Sequence, residues 1–359
     1  MEWGEYRIEE LFEISRGNIA NQKELVSDPL GICFIAQNDN NNGFVDVVKP
    51  QNHKQFKGNS LVVGRQTGVV YYQEKDFITT DGVLVLIAKD SFIKNKSIGL
   101  VFASALTKKM FSFGYNNTVS AEKLNKITIH LPTKDGKIDF DFIDSFIAEL
   151  EAERLAELEA YLSTTGLRDY TLTSEEERVL EEFESGKFEW EIFNLEKLFG
   201  KSTRGKRLKS DDRTSGSLPF VTAGETDEGI SAFISNDVDI FWENTTTIDM
   251  FGSAKYRNYK YGGDDHIAVV HTENLPKFAS IFVTTAIHKT SYAGQFSYSR
   301  NFYAKDADEL DILLPTKNQQ PDYTLMETFI SAIQKLAIKD VVLYADKKIM
   351  ATKSIVEKW

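Results

Sequence analysis

The segments LPTKDGKIDFDFIDSFI at Leu131–Ile147 and LPTKNQQPDYTLMETFI at Leu314–Ile330 begin with the same four residues, 183 positions apart. In both, an apolar stretch ends at the tetrapeptide and a polar turn follows. Apolar residues then recur every three or four positions, which is the spacing of an amphipathic helix. The pattern predicts that the two halves of the chain end alike, in a strand, a turn and a long helix.

Further matches occur in the same order along the two halves. EYRIEELFEISRG near the start resembles IFNLEKLFGKSTRG, CFIAQNDNNNGFV at 33–45 resembles PFVTAGETDEGIS at 219–231, and NSLVVGRQTGVVYY at 59–72 resembles TTTIDMFGSAKYRN at 245–258. The offset between the copies falls from 188 to 183, as changes in loop length would produce. The chain therefore reads as a duplicated domain of about 185 residues, a period too long for a solenoid.

Short β-branched and aromatic stretches separated by Gly, Asn and Asp precede the helix in each copy, which predicts an α+β fold. We expect two homologous mixed α/β domains at 1–138 and 188–320. A spacer helix with its connector would occupy 139–187, and a C-terminal spacer helix 321–359. Long helices with one narrow apolar stripe need a partner, so these two are predicted to pair antiparallel, as in a coiled coil.

The composition excludes several classes of protein. Of the 359 residues 42% are hydrophobic and 27% charged, no apolar run is long enough to span a membrane, and a single cysteine rules out an internal disulfide. We expect a cytoplasmic protein. The net charge of -12 comes from one segment: between Asp139 and Glu189 there are 16 Asp and Glu against 4 Lys and Arg, and the rest of the chain carries 38 of each. Basic patches for nucleic acid are therefore available outside the spacer.

Each half of the chain ends in LPTK and a long helix, and the halves contain GNSLVVGRQTG at 58–68 and SLPFVTAGETDEG at 217–229. In this the chain resembles the DNA-specificity (S) subunit of type I restriction–modification systems. The equivalent subunit of type IIB systems is just as similar. The resemblance implies one target-recognition domain in each half and a bipartite target in double-stranded DNA.

The resemblance also implies partners. They would be a methyltransferase subunit, or a fused restriction–methyltransferase subunit, with a separate restriction subunit in a type I system. S-adenosylmethionine, Mg and, in type I, ATP would be bound by those partners, with no cofactor in this chain.

Candidate DNA contacts are Lys and Arg for phosphates, and Arg, Asn and Gln beside aromatic residues for base edges. In the first copy they are Arg65, Gln66, Thr67, Tyr71, Tyr72, Gln73, Asn116 and Asn117. In the second copy they are Arg204, Lys206, Arg207, Lys255, Tyr256, Arg257, Asn258, Ser299 and Arg300. Strand alternation would place Lys255, Arg257, Tyr259 and Tyr261 on one face, with Arg257 able to pair with guanine.

No catalytic motif is recognisable, so we expect a non-catalytic subunit without a metal site. Asp264, Asp265 and His266 read as a turn before a strand. Apolar residues on the spacer helices are candidates for docking the methyltransferase, namely Phe146, Ile338 and Val342. The alternative is an interaction protein or decoy that keeps this architecture without supporting modification.

Overall fold

The structure is a computed structural model that describes residues 1–356, with side chains described through residue 351. The chain separates into two compact units, residues 1–157 and a second unit that begins at Leu158. One long helix, Phe140–Thr164, crosses the boundary between them.

The first unit consists mostly of short strands. These are β1 (Glu2–Arg7), β2 (Phe12–Arg16), β3 (Ser27–Ile35), β4 (Phe44–Val48), β5 (Gln55–Phe56), β6 (Ser60–Gly64), β7 (Val70–Gln73), β8 (Phe77–Thr79), β9 (Val83–Ala88), β10 (Thr128–Lys134) and β11 (Lys137–Ile138). Its helices are α1 (Ile8–Leu11), α2 (Lys96–Thr107), α3 (Ala121–Asn125) and the larger part of α4 (Phe140–Thr164). The main core packs α2 against the sheet that contains the apolar strands β6 and β9.

The second unit repeats this plan and adds one helix. Its strands are β12 (Trp190–Asn194), β13 (Thr203–Arg204), β14 (Ser215–Val221), β15 (Ile230–Ile234), β16 (Ile240–Phe241), β17 (Thr245–Asp249), β18 (Ala254–Arg257), β19 (Tyr261–Gly263), β20 (Ile267–Val270), β21 (Asp311–Lys317) and β22 (Gln320–Pro321). Its helices are α5 (Ser174–Glu184), α6 (Leu195–Phe199), α7 (Lys277–Ser291), α8 (Ala304–Asp308) and α9 (Tyr323–Val356). The added helix is α5, which lies in the connector between the copies.

Sheet topology is the same in both units. The first unit has the strand orders β1-β10-β11, β2-β9-β6-β7 and β4-β3-β8-β5. The second has β12-β21-β22, β13-β20-β17-β18 and β15-β14-β19-β16, so every strand corresponds to the one eleven labels earlier. The predicted architecture of two homologous mixed domains with long helices is confirmed.

The repeated LPTK segment forms a hairpin and a helix cap in both units. Lys134 pairs with Lys137 and Lys317 with Gln320, so each turn has two residues, and all four turn residues have positive φ. Such turns match the right-handed twist of the flanking strands. Directly after each hairpin, the carboxylate of Asp139 or Asp322 accepts a hydrogen bond from the backbone N–H three residues on, at 2.9 Å in both units. These caps start α4 and α9 at equivalent places.

The repeated Arg-Gly pair has a packing reason. A Cβ on Gly17 would lie 2.1 Å from the backbone oxygen of Thr80, and one on Gly205 would lie 1.7 Å from that of Gly263. No side chain fits at such distances, so the chain can pass the end of β8 or β19 this closely only with glycine.

Helix α5 is attached to α9 by a buried carboxylate. Glu176, 5% exposed, accepts hydrogen bonds from Ser331 Oγ at 2.6 Å and Lys335 Nζ at 2.9 Å, and it closes a capping box with Thr173. Burial alone would raise the pKa of Glu176, but these hydrogen bonds outweigh it and lower the pKa to about 2. The fold therefore stabilises the charged form.

Replacing Glu176 with Gln is expected to lower the free energy of unfolding by about 1.5 kcal/mol, because charge-assisted hydrogen bonds become neutral ones. Because the folded pKa lies below the ordinary value of 4.5, the contribution of Glu176 is complete above that pH and is lost as the pH falls towards 2. Denaturant unfolding at several pH values should thus show that the difference in unfolding free energy between the unaltered chain and Glu176→Gln disappears in acid. The exposed Glu177→Gln serves as the control. A difference that stays constant with pH would contradict the assignment.

Candidate nucleic-acid interface

Three loops of the first unit meet beyond the ends of strands β3 and β6. They are residues 36–43, the β6–β7 hairpin at 65–69 and the segment 111–118 between α2 and α3. Gln37 Nε2 donates to Gln66 Oε1 at 2.8 Å, and the backbone N–H of Val119 donates to the carbonyl of Arg65 at 2.8 Å. These bonds join the loops into one surface, which we call the first loop surface.

The second unit builds the same surface from loops 222–229, 250–253 and 292–301. The backbone N–H of Phe302 donates to the carbonyl of Met250 at 2.9 Å, which repeats the contact between Val119 and Arg65. Gly224 N–H donates to the buried carboxylate of Asp249 at 3.3 Å and so connects the first two loops. We call this the second loop surface.

Each loop surface carries a tyrosine at the tip of a small turn. Gly114 and Asn117 exchange two backbone hydrogen bonds of 3.1 Å, and Ser297 and Arg300 exchange two of 3.0 Å. Between them Tyr115 is 81% exposed and Tyr298 85% exposed. Exposed aromatic rings on a fixed turn are available for contact with a ligand.

The equivalence of these two turns was not predicted from the sequence. Tyr298 is absent from the predicted contacts, although its offset of 183 from Tyr115 is that of the LPTK repeat. The same offset relates Phe113 to Phe296 just before each turn, and these two aromatic matches were the available signal.

The last residue of each turn anchors the turn to the next short helix. Lys123 Nζ donates to Asn117 Oδ1 at 2.8 Å, and the guanidinium of Arg300 donates to Asp306. Burial of Asp306 opposes its ionisation, but the hydrogen bonds from Arg300 and from the backbone of Tyr303 hold its pKa below the ordinary value. Asn117 and Arg300, both predicted as DNA contacts, thus have a structural partner. The turn residue accepts the hydrogen bond in the first copy and donates it in the second.

The predicted residues around strand β7 divide between surface and core. Arg65, Gln66 and Thr67 lie in the hairpin of the first loop surface, with Gln66 and Thr67 exposed. Tyr72 and Gln73 are buried, so the structure is at odds with their predicted contact with DNA. Tyr72 donates to Asn59 Oδ1 at 2.5 Å, and Gln73 donates to a backbone carbonyl of loop 36–43 at 2.9 Å.

Tyr71 and Asn116 keep positions that a ligand can reach. Tyr71 is half-buried beside loop 36–43, where burial and the charge of Asp39 raise the pKa of its hydroxyl. The hydroxyl therefore stays protonated and can donate at neutral pH. Asn116 is exposed on the turn next to Tyr115.

Strand β18 is covered on both faces, and its basic face points inward. Arg257 is 1% exposed, donates to Thr247 Oγ1 and Tyr259 OH at 2.9 Å, and lies over the Tyr261 ring. The buried guanidinium cannot reach a base in this conformation, so the predicted guanine contact is corrected. Alternation identifies the two faces of a strand but does not say which one is covered.

The other predicted residues near β18 differ in exposure. Tyr256 donates to Asn244 Oδ1 at 3.0 Å, the counterpart of the Tyr72–Asn59 bond, which makes it a structural residue as well. Lys255 is mostly covered and pairs with Glu225 at 3.2 Å. Asn258 is exposed in the turn after the strand, and Ser299 is exposed next to Tyr298.

The basic segment 201–213 borders the second loop surface. Leu208 N–H donates to Asp264 Oδ1 at 3.3 Å, and Asp264 N–H donates to the carbonyl of Val221, where β14 ends. Arg204 and Arg207 are exposed, and Arg207 lines a cavity of about 300 Å³.

Lys206 of the same segment is exposed and pairs with Asp239 at 3.1 Å, an ion pair that solvent weakens. Together with Arg204 and Arg207 it supplies a positive border suited to a phosphate backbone.

Among residues 1–351, one group of side chains could together hold a metal ion, and it consists of Asp264, Asp265 and His266. These residues form the turn before β20 that the sequence predicts, since Ile267 N–H donates to the carbonyl of Asp264. Asp264 Oδ1 already accepts the Leu208 N–H, so the group serves the local turn.

The three predicted docking residues also differ in exposure. Phe146 is exposed on α4 and Ile338 is half-buried on α9. Val342 is buried, so the structure is at odds with its predicted role in docking a partner. Nearby, Arg168 bridges Glu159 of α4 and Asp346 of α9 at 2.5 and 2.6 Å.

Within the described chain, every helix is too short or too polar to cross a bilayer.

Comparison with known proteins gives matches over nearly the whole length. The type II restriction enzyme BgcI specificity subunit S.BcgI of Heyndrickxia coagulans is 23% identical over 346 residues, which cover 94% of this chain and 96% of that protein. The crystal structure of the type I restriction–modification S subunit from M. genitalium matches with a TM-score of 0.63 and 15% identity, over 100% of this chain and 95% of that chain, a likeness of fold.

A family model, described as type I restriction modification DNA specificity domain, matches the chain twice, at residues 1–160 and 188–344. The two matches coincide with the two repeats, each of which carries its own loop surface. The chain belongs to the family of type I restriction modification DNA specificity domains.

Proposed function

We propose that the chain is the sequence-specific DNA-binding subunit of a restriction–modification complex, and that it reads a bipartite target with one half-site for each unit. One observation carries the proposal: two loop surfaces with the same backbone contacts differ in the side chains that they expose. The first exposes Gln66, Thr67 and Asn116, and the second exposes Thr226 and Ser299. Two different half-sites require the same backbone scaffold with different hydrogen-bonding side chains, because each base pair presents its own pattern of donors and acceptors.

Two kinds of surface residue have different roles in this proposal. Side chains of the loop turns face the base edges, and they give specificity. Arg204 and Arg207 face phosphates, and they give affinity without sequence preference. The acidic helix α4 touches neither, so its charge does not oppose binding.

Exchange of residues 1–138 for the corresponding domain of a relative with a different target tests the proposal. The hybrid is expected to change one half-site and to retain the other, as measured by methylation of a random-sequence duplex library by the complete complex. Retention of both half-sites, or loss of both, would overturn the assignment of one half-site to each unit.

Alanine in place of Tyr115 or Tyr298 is expected to weaken binding about tenfold, each only for its own half-site, since one lost base-pair contact costs about 1–3 kcal/mol. Fluorescence anisotropy with duplexes altered in one half-site at a time measures this. Tyr161→Ala, which removes an exposed tyrosine from α4, is the control. Equal weakening on all sequences would make the two tyrosines backbone contacts instead.

Catalysis belongs to the partners in this proposal. A methyltransferase subunit, or a fused restriction–methyltransferase subunit, would bind S-adenosylmethionine and act on a flipped base. A nuclease would use Mg, with ATP in a type I system. Such a complex would act in the cytoplasm.

The long helices have the role of spacers in this proposal. The recognition domains would be residues 1–138 and 188–320, and the spacers 139–187 and 321–359. At ~1.5 Å per residue, the 25 residues of α4 would measure an unread gap of about one turn of B-DNA.

A further inference from the structure

An apolar groove opens on the first unit between β1, α2 and α4. It has a volume of about 710 Å³, and its large apolar lining residues include Trp3, Leu100, Phe146, Ile147 and Leu150. Trp3 is 59% exposed and Phe146 48% exposed, and Leu100 and Leu150 also reach the surface. A contiguous apolar surface of this kind, left open by residues 1–351, is typical of a protein interface.

The second unit shows what covers the equivalent position. Trp190 pairs with Pro315 as Trp3 pairs with Pro132, so the two tryptophans correspond. Phe329 lies 183 residues after Phe146, the offset of the LPTK repeat.

The connector covers part of this position in the second unit. The ring of Phe183, at the end of α5, lies 4.7 Å from that of Phe329. Phe188, just beyond α5, lies 5.9 Å from the rings of both Trp190 and Phe329. Phe329 is consequently buried, whereas Phe146 is exposed. The same site is thus partly covered in one copy, where Trp190 is still 40% exposed, and open in the other, where Trp3 is 59% exposed.

We propose that the groove of the first unit binds an amphipathic helix of a partner protein, which lies there as α5 lies in the second unit. The apolar face of that helix would resemble the Val179, Leu180 and Phe183 face of α5. Its edge over α4 would carry Lys or Arg, and its edge over the end of α2 would carry Asp or Glu. In the complex proposed above, the methyltransferase subunit would supply the helix, and this identity rests on the proposed function.

The charges of α4 distinguish the partner helix from α5 itself. In the second unit Glu176 of α5 is held by Ser331 and Lys335 of α9, whose counterparts on α4 are alanines at 148 and 152. Exposed carboxylates of Glu149 and Glu153 flank these alanines. A helix with Glu at the position of Glu176 would meet negative charge here, and one with Lys would be attracted.

The opposite rim of the groove has the other sign. Lys108 and Lys109 line it just past the C-terminal end of α2, and both are exposed. The second edge of the partner helix therefore meets two cations. A helix that is basic along one edge and acidic along the other has charges opposite to those of both rims of the groove.

Two synthetic peptides test the chemistry of the groove. One has the sequence of residues 170–189, and the other has the same sequence with Glu176→Lys. The lysine peptide is expected to bind the full-length chain about fivefold more tightly at low salt, measured by anisotropy, because it exchanges repulsion for attraction at α4.

Two variants of the chain locate that binding. Leu100→Glu should abolish binding of the lysine peptide, and Leu30→Glu, at an exposed leucine elsewhere in the first unit, should not. Equal binding of both peptides, or no effect of Leu100→Glu, would overturn the proposal.

The partner is tested in the complete complex. Leu100→Glu is expected to weaken association with the methyltransferase subunit at least tenfold, and a photo-cross-linker at position 100 should attach to a helix of that subunit. A cross-link to a second copy of this chain would overturn the choice of partner. If the unaltered complex shows no half-site preference, the proposed function fails, while the peptide result still decides the chemistry of the groove.

Discussion

Replacement of Asn244 by alanine is expected to lower the free energy of unfolding by about 3 kcal/mol. The two N–H bonds of its side-chain amide are shared among three backbone carbonyls after β20, the shortest distance being 2.7 Å to Leu275, and its Oδ1 accepts a hydrogen bond from the hydroxyl of Tyr256. The backbone of Asn244 also has a φ of 64°, in the left-handed region. Alanine loses all of these bonds and is strained in this conformation.

A second variant separates the two causes. Asn244→Gly removes the same hydrogen bonds but adopts the left-handed conformation freely, so it should cost about 2 kcal/mol, and the difference from alanine is the backbone strain. Denaturant unfolding of the full-length chain measures both. If Asn244→Ala left stability unchanged and weakened DNA binding instead, the Tyr256–Asn244 pair would be part of the interface and not a structural pair.

Exchange of the turn of the second loop surface for that of the first is expected to lower affinity for the second half-site about 100-fold, because the contacts of at least one base pair are lost at about 1–3 kcal/mol each. The exchange replaces residues 297–300 with Gly-Tyr-Asn-Asn, the sequence of 114–117. The two turns have the same pair of backbone hydrogen bonds, so the grafted turn should adopt the backbone conformation of the original.

The anchor has to be exchanged together with the turn. Without Arg300, the carboxylate of Asp306 loses its charged partner and keeps only the backbone N–H of Tyr303, so the graft includes Asp306→Lys to reproduce the Asn117–Lys123 bond. The graft that lacks Asp306→Lys is the control, and it should be less stable than the complete one. Affinity for the first half-site should not change in either protein. An unaltered preference at the second half-site would remove the turn from the interface.

The repeated motifs predicted the duplicated architecture of this protein because they mark positions where the backbone conformation allows few residue types. The two-residue turns after LPTK, the caps at Asp139 and Asp322, and the close approach of Gly205 to β19 are of this kind. Local constraints of this sort can be read from the sequence without knowing what packs against them.

The candidate contacts were harder to predict because exposure depends on packing between distant segments. Arg257 lies on the face that the alternation predicts, but loops and strands from elsewhere cover that face. Tyr298 was missed because its loop shares few residues with its counterpart. Val342 shows the same error as Arg257, since this apolar residue on a helix stripe is buried and not open to a partner.

The identical strand orders of the two units also affect how the chain is made. Sheets with the same layout can accept strands from the wrong copy, which is a characteristic failure of proteins built from similar domains. The ribosome releases the copies one after the other, and at about 5–20 residues per second the first has roughly ten seconds or more before the last strand of the second appears. The sequence divergence of the two copies reduces such mispairing further. The same differences that distinguish two ligands therefore also favour correct folding of the chain.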